Sequence, residues 1–164
     1  MHISKDNQVV VAHDPYINRK FGLMPNGEEI PEEDEKKYLI YQMDYSEIRQ
    51  FDVGSKFQSE YPNQKKIKAY IPLLGELIDS VEQFTSGKNY PAVIYNIEVK
   101  ADADKDGFYQ PAPEEYIKLV MEVVKAKNLS NNRYYLQSFD IRQIQQVNRN
   151  YPNVVIGFLT SNKE

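Results

Sequence analysis

Residues 92–100 read Ala92-Val93-Ile94-Tyr95-Asn96-Ile97-Glu98-Val99-Lys100, AVIYNIEVK. The run begins just after Pro91 and is rich in β-branched and aromatic residues, so it predicts a strand. Asn96, Glu98 and Lys100 lie two apart and share one face, while Ile97 and Val99 point to the other. Burying a glutamate and a lysine on such a strand is costly unless they are paired or hold a ligand.

The flanking sequence sets this strand in an alternating pattern. "PLLGELIDSVEQF" (72–84) places Leu73, Leu74, Leu77, Ile78, Val81 and Phe84 at helical spacing, with Pro72 suited to the first turn. After AVIYNIEVK, "PEEYIKLVMEVVKAKN" (113–128) predicts a helix. Pro113 opens it, Glu114 and Glu115 fall in the first turn, and Lys125 and Lys127 in the last, which suits the helix dipole. "RYYLQSF" (133–139) is a second strand. Asp140 is placed to cap "IRQIQQVNRN", whose Ile141, Ile144 and Val147 form one stripe, and "VVIGFL" closes as a third strand. An α-β-α-β-α-β order argues for parallel strands joined by helical crossovers. A doubly wound open sheet and a (β/α)₈ barrel both fit. Neither GxGxxG nor GxxxxGK[ST] occurs, which removes the common nucleotide-binding signatures.

The N-terminal part is organised differently. "HIS" and "QVVVA" read as two short strands joined by a turn at Lys5-Asp6-Asn7. Residues 16–70 are rich in charge, Tyr, Pro and Gly and read as an irregular excursion. Its acidic run "GEEIPEEDEKK" reads as a solvated face, and its one helical hint is "DYSEIRQF", capped by Asp44 or Ser46.

Composition bounds the function. A chain of 164 residues makes about one domain, with 41% hydrophobic and 27% charged residues. A formal charge of -4 leaves no basic footprint for generic nucleic-acid binding. There is no cysteine, which excludes disulfides and thiolate metal sites without identifying a compartment. No apolar stretch approaches the ~20 residues of a transmembrane helix, and "MHISKDNQ" lacks the apolar core of a signal peptide.

In a parallel α/β fold, reactive groups gather at the C-terminal ends of strands. Three polar groups fall there: His13-Asp14 after "VVVA", Glu98 with Lys100, and Gln137 with Ser138. A carboxylate beside an ammonium suits a metal ion and an anionic substrate such as a phosphate. A structural ion pair is the plainer account of Glu98 and Lys100, and a loop hydrogen bond that of His13. His2 reads as incidental to the terminus. "DADKDG" (102–107) resembles the start of an EF-hand, but Pro113 stands where the bidentate glutamate belongs, so it reads as a loop. Ser138 lacks the GxSxG elbow of a nucleophile.

Four blocks in order, "SKDNQVVVAHDP", "IPLLGELID", "NIEVK" and "LQSFD", resemble the glycerophosphodiester phosphodiesterase family over nearly the whole chain. The resemblance implies a TIM-barrel fold, here a partial barrel with residues 16–70 as an insertion after the second strand. It implies hydrolysis of glycerophosphodiesters to glycerol 3-phosphate and an alcohol, with a divalent metal, Mg or Ca, and two histidines as general acid and base. By resemblance His13 is the second of these histidines, Glu98 a metal ligand, Lys100 a phosphate-side cation and Asp14 a support for His13. The family's His-Arg-Gly block and Glu-x-Asp ligand pair have no counterpart here, and a full barrel takes roughly 250 residues. The expectation is therefore a fragment with little activity alone, whose open sheet edges favour oligomerisation. Two other functions remain open: a non-catalytic phosphate-binding module, and a lysophospholipase D or sphingomyelinase D type of phosphodiesterase. The family includes cytosolic and exported enzymes, so the compartment stays open.

Overall fold

The computed structural model describes residues 1–161. Its centre is a parallel three-stranded sheet. Strands β3 (Tyr95–Glu98), β4 (Tyr134–Ser138) and β5 (Val155–Phe158) lie in the order β3-β4-β5. Ile97 registers with Leu136, and Leu136 with Ile156, so alternate residues of all three strands share a face. The connections are helices α3 (Pro113–Ala126) and α4 (Ile141–Asn150), preceded in the chain by α2 (Leu74–Gly87). The alternation expected after residue 72 is thus present.

One face of the sheet is packed and the other open. Tyr95, Ile97, Val99, Tyr134 and Leu136 are buried with Ile117, Val120, Met121 and Val124 of α3, Leu74 and Ile78 of α2, and Val147 of α4. On the opposite face Asn96 is exposed, while Glu98, Lys100 and Gln137 are half-buried.

Local signals set the helix ends. Pro113 opens α3, where its missing N–H leaves no bond unmade. The Asp140 carboxylate accepts from the Arg142 N–H at 2.9 Å, capping α4 as its sequence position implies. Helix α2 starts later than expected: Leu73 is its N-cap, and the Pro72 carbonyl outside it accepts from the Val11 N–H. Two members of the predicted stripes also lie outside the core. Phe84 is 56% exposed and stacks on Tyr90 with ring centroids 5.9 Å apart, and Ile141 is 45% exposed. Each sits near the end of its stripe, past the elements that cover its neighbours.

The first two strands, β1 (His2–Ile3) and β2 (Val9–Val10), form an antiparallel hairpin, with His2 opposite Val10. Asn7 adopts a left-handed φ of 61° at the turn, a conformation asparagine tolerates better than most residues. Residues 16–70 hold a second core of Ile17, Ile30, Ile40, Tyr45, Ile48 and Phe51, joined by Val10 and Ile71. Their one α-helix is α1 (Tyr45–Ile48), beside 3₁₀ turns at Glu32–Asp34 and Ile40–Gln42. Asp44 is its N-cap, as the sequence offers, and the helix's first N–H donates to the Asp6 carboxylate in the hairpin turn, at 2.9 Å. The acidic run is mostly solvated, with Ile30 alone tucked inward.

Gln143 of α4 is fully buried, and neither end of its amide finds a hydrogen-bond partner. An unmet buried polar group costs about 1–3 kcal/mol. Gln143→Met keeps the volume and removes the amide, and is expected to raise unfolding free energy by about 1 kcal/mol or more, read by urea denaturation.

Candidate active site

A pocket of about 310 Å³ opens at the C-terminal end of β3. Its walls include His2, His13, Asp14, Glu98, Lys100, Asp102, Tyr109, Gln110 and Phe139. The two-residue period of β3 delivers Glu98 and Lys100 to the same side, while Val99 between them is buried in the core. β2 runs on into His13 and Asp14.

The polar groups form a chain. Lys100 Nζ lies 3.4 Å from Glu98 Oε1 and 3.1 Å from His13 Nε2. His13 Nδ1 lies 3.0 Å from Asp14 Oδ1, and the Asn18 amide donates to Asp14 Oδ2 at 2.8 Å. Because an ammonium only donates, His13 Nε2 must accept from it, which leaves the ring proton on Nδ1 for Asp14. His13 Nε2 is thus the acceptor in this contact, and the side chain is 76% exposed. Burial raises the Asp14 pKa, but hydrogen bonds from Asn18 and His13 outweigh it, and the carboxyl is held below its ordinary range.

His2, which the sequence marks as incidental, is buried in the pocket wall. Its Nε2 meets the His13 carbonyl at 3.0 Å, so Nε2 carries the proton and Nδ1 has no partner. Burial, reinforced by the nearby N-terminal ammonium, lowers its pKa to about 3. It is thus neutral at physiological pH and does not supply a second proton donor.

The other sequence candidates serve structural ends. Ser138 is buried, donates to the Val99 carbonyl at 2.7 Å and accepts from the Asp140 N–H. In "DADKDG", Asp102 accepts from the Asp104 N–H, and Asp106 is bound by Arg142. Among the described residues no group of three acidic or histidine side chains able to hold a metal ion forms there.

Glu98 Oε1 is buried and makes no hydrogen bond, its one charged neighbour being the Lys100 ammonium at 3.4 Å. Among the described residues no three acidic or histidine side chains gather as a ligand set. Mg²⁺ and Ca²⁺ take six or more oxygens. The residues present offer one ligand and do not by themselves fit a complete metal site.

The family model for the glycerophosphoryl diester phosphodiesterase family matches residues 1–164, and the chain belongs to that family. Its fold is correspondingly of the TIM-barrel type, present as a partial barrel. No curated protein matches the chain. Solved structures do. An assigned glycerophosphoryl diester phosphodiesterase from Silicibacter pomeroyi DSS-3 is 23% identical with a TM-score of 0.78, over 96% of this chain and 52% of its own. An Oleispira antarctica phosphodiesterase, solved with the product sn-glycerol-3-phosphate, is 23% identical with a TM-score of 0.66, over 96% and 51%. A glycerophosphodiester phosphodiesterase from Parabacteroides distasonis ATCC 8503 is 17% identical with a TM-score of 0.59, over 96% and 48%. The chain spans about half the length of these structures. No helix among the described residues is long and apolar enough to cross a membrane.

His2 generates a test of pH dependence. Its ordinary pKa is 6.5 and its folded value about 3. Between those values the unfolded chain binds the proton that the folded chain excludes, so stability falls as pH drops from 6.5 toward 3. His2→Gln is expected to flatten the decline in melting temperature over that window, whatever it does to stability at pH 7.

Proposed function

We propose that this chain supplies the phosphate-holding and one proton-transfer element of a site that hydrolyses glycerophosphodiesters to glycerol 3-phosphate and an alcohol. The observation that carries the reading is the contact of Lys100 Nζ with both His13 Nε2 and Glu98 Oε1 inside one pocket. A phosphodiester carries one negative charge, and Lys100 is the cation among the pocket's named walls able to meet it. As a phosphoryl oxygen arrives, the ammonium exchanges His13 Nε2 for it and frees the imidazole lone pair. His13 then takes a proton from the attacking water as its oxygen bonds to phosphorus, the P–O bond to the alcohol breaks, the departing alkoxide takes a proton from solvent, and Asp14 stabilises the imidazolium through Nδ1 until it releases its proton. Lowering the Asp14 pKa keeps that carboxylate ionised for the task. Glu98 is proposed as one oxygen ligand of a divalent metal, Mg or Ca, which in this family would neutralise charge on the phosphoryl group.

The domain division follows the same reading. Residues 1–164 form one partial-barrel phosphodiesterase domain, with 16–70 as its insertion. We further propose that the chain self-associates, because β3 and β5 flank the sheet and no further described strand pairs with β5. A sharp monomer peak in size-exclusion chromatography, with cooperative melting, would count against this.

A single carboxylate proposed as a metal ligand and a single accessible histidine make poor catalytic equipment, which favours binding over turnover. The 164-residue chain is expected to bind inorganic phosphate and glycerol 3-phosphate while hydrolysing glycerophosphocholine below detection, with or without added metal. Lys100→Ala should weaken phosphate binding about 10-fold or more, the range for loss of a charged hydrogen bond. Metal-dependent turnover by the purified chain would refute the low-activity expectation. Unchanged phosphate affinity in Lys100→Ala would refute the phosphate assignment.

A further inference from the structure

The segment that joins β3 to α3 contributes Asp102, Tyr109 and Gln110 to the pocket wall, and Phe139 adjoins them from the end of β4. It contains no regular element longer than a 3₁₀ turn at Ala103–Lys105, so its shape needs an external support. Internally, the buried Gln110 amide donates to the Asp102 carbonyl at 2.6 Å and to Asp106 Oδ1 at 2.9 Å. Gly107 turns the backbone with φ of 78°, and its N–H donates to the Gln110 carbonyl.

The external support is Arg142, in the first turn of α4. Nη1 donates to Asp106 Oδ2 at 2.7 Å and Nη2 to Asp106 Oδ1 at 3.2 Å, a two-point contact across 36 residues of sequence. The same guanidinium holds Asp140, with Nη2 to Oδ2 at 2.7 Å and Nε to Oδ1 at 3.1 Å. Asp140 is in turn tied through its N–H to Ser138 Oγ, which donates to the Val99 carbonyl beside Lys100. One planar cation therefore fixes the loop to the strand end that carries the site. A lysine lacks the fork that such a contact demands.

We infer that Arg142 is a positioning residue that sets a specificity wall, and that this wall receives the organic part of the ligand rather than its phosphate. The inference rests on the assignment of the phosphate to Lys100. Asp102, Tyr109, Gln110 and Phe139 bring one carboxylate, one amide and two aromatic rings, with no cation. Such a surface repels anions and accepts a neutral or cationic alkyl alcohol against its rings.

Titration of the 164-residue chain by NMR, with inorganic phosphate and with glycerophosphocholine as probes, tests this. In Arg142→Gln, glycerophosphocholine affinity is expected to fall about 10-fold, as for loss of a charged hydrogen bond, while phosphate affinity holds. Asp106→Asn removes the charge and one of the two acceptor oxygens from the loop's side of the contact and leaves the α4 cap intact. It should give the same selective loss if Arg142→Gln fails to fold. Equal loss for both probes, or no loss in Asp106→Asn, overturns the wall inference and spares the phosphate assignment. Failure of the unsubstituted chain to bind phosphate overturns that assignment and this inference with it.

Discussion

The arrangement depends on the two-residue period of one strand. β3 directs Tyr95, Ile97 and Val99 into the helix layer, and Glu98 and Lys100 to the side they leave open. The buried set makes the strand bind its scaffold strongly. The same set fixes which way the charged residues face, because a slip of one residue would put a carboxylate and an ammonium into an apolar core. Core packing here is therefore also what aims the site.

From that fixed point the polar groups determine one another in sequence. Lys100 can only donate, which makes His13 Nε2 an acceptor. That choice sends the ring proton to Asp14, and the Asn18 amide satisfies the other Asp14 oxygen. His2 reinforces the arrangement from behind by holding the His13 carbonyl. Apart from Glu98 at the end of β3 and Lys100 two residues past it, these contacts come from loop positions or the short hairpin, so the geometry relies on hydrogen bonds more than on element packing.

What could be read without coordinates follows the range of the forces involved. The β3 alternation, the Pro113 start and the Asp140 cap are decided within a few residues, and each stands where the sequence places it. The grouping of His13 and Asp14 with Glu98 and Lys100 was accessible through strand ends alone. His2 was not singled out, although a turn centred on residues 5–7 pairs it with Val10 and so brings it beside the strand leading to His13. Arg142 had no local signal, since Asp106 is distant in sequence. Phe84 and Ile141 show the opposite limit: periodicity defines a stripe, but only neighbouring elements decide how far along the helix it is covered.

Adjacent residues of β2 serve different cores. Val9 is buried with the sheet and its helices, while Val10 is buried with the residues of the insertion. Leu74 and Leu73 divide in the same way where the chain returns. The excursion over 16–70 is consequently not a detachable ornament. Excising it to obtain a minimal scaffold would strip the cover from one side of the strand that carries the histidine, so any shortened version must replace that cover before its chemistry can be judged.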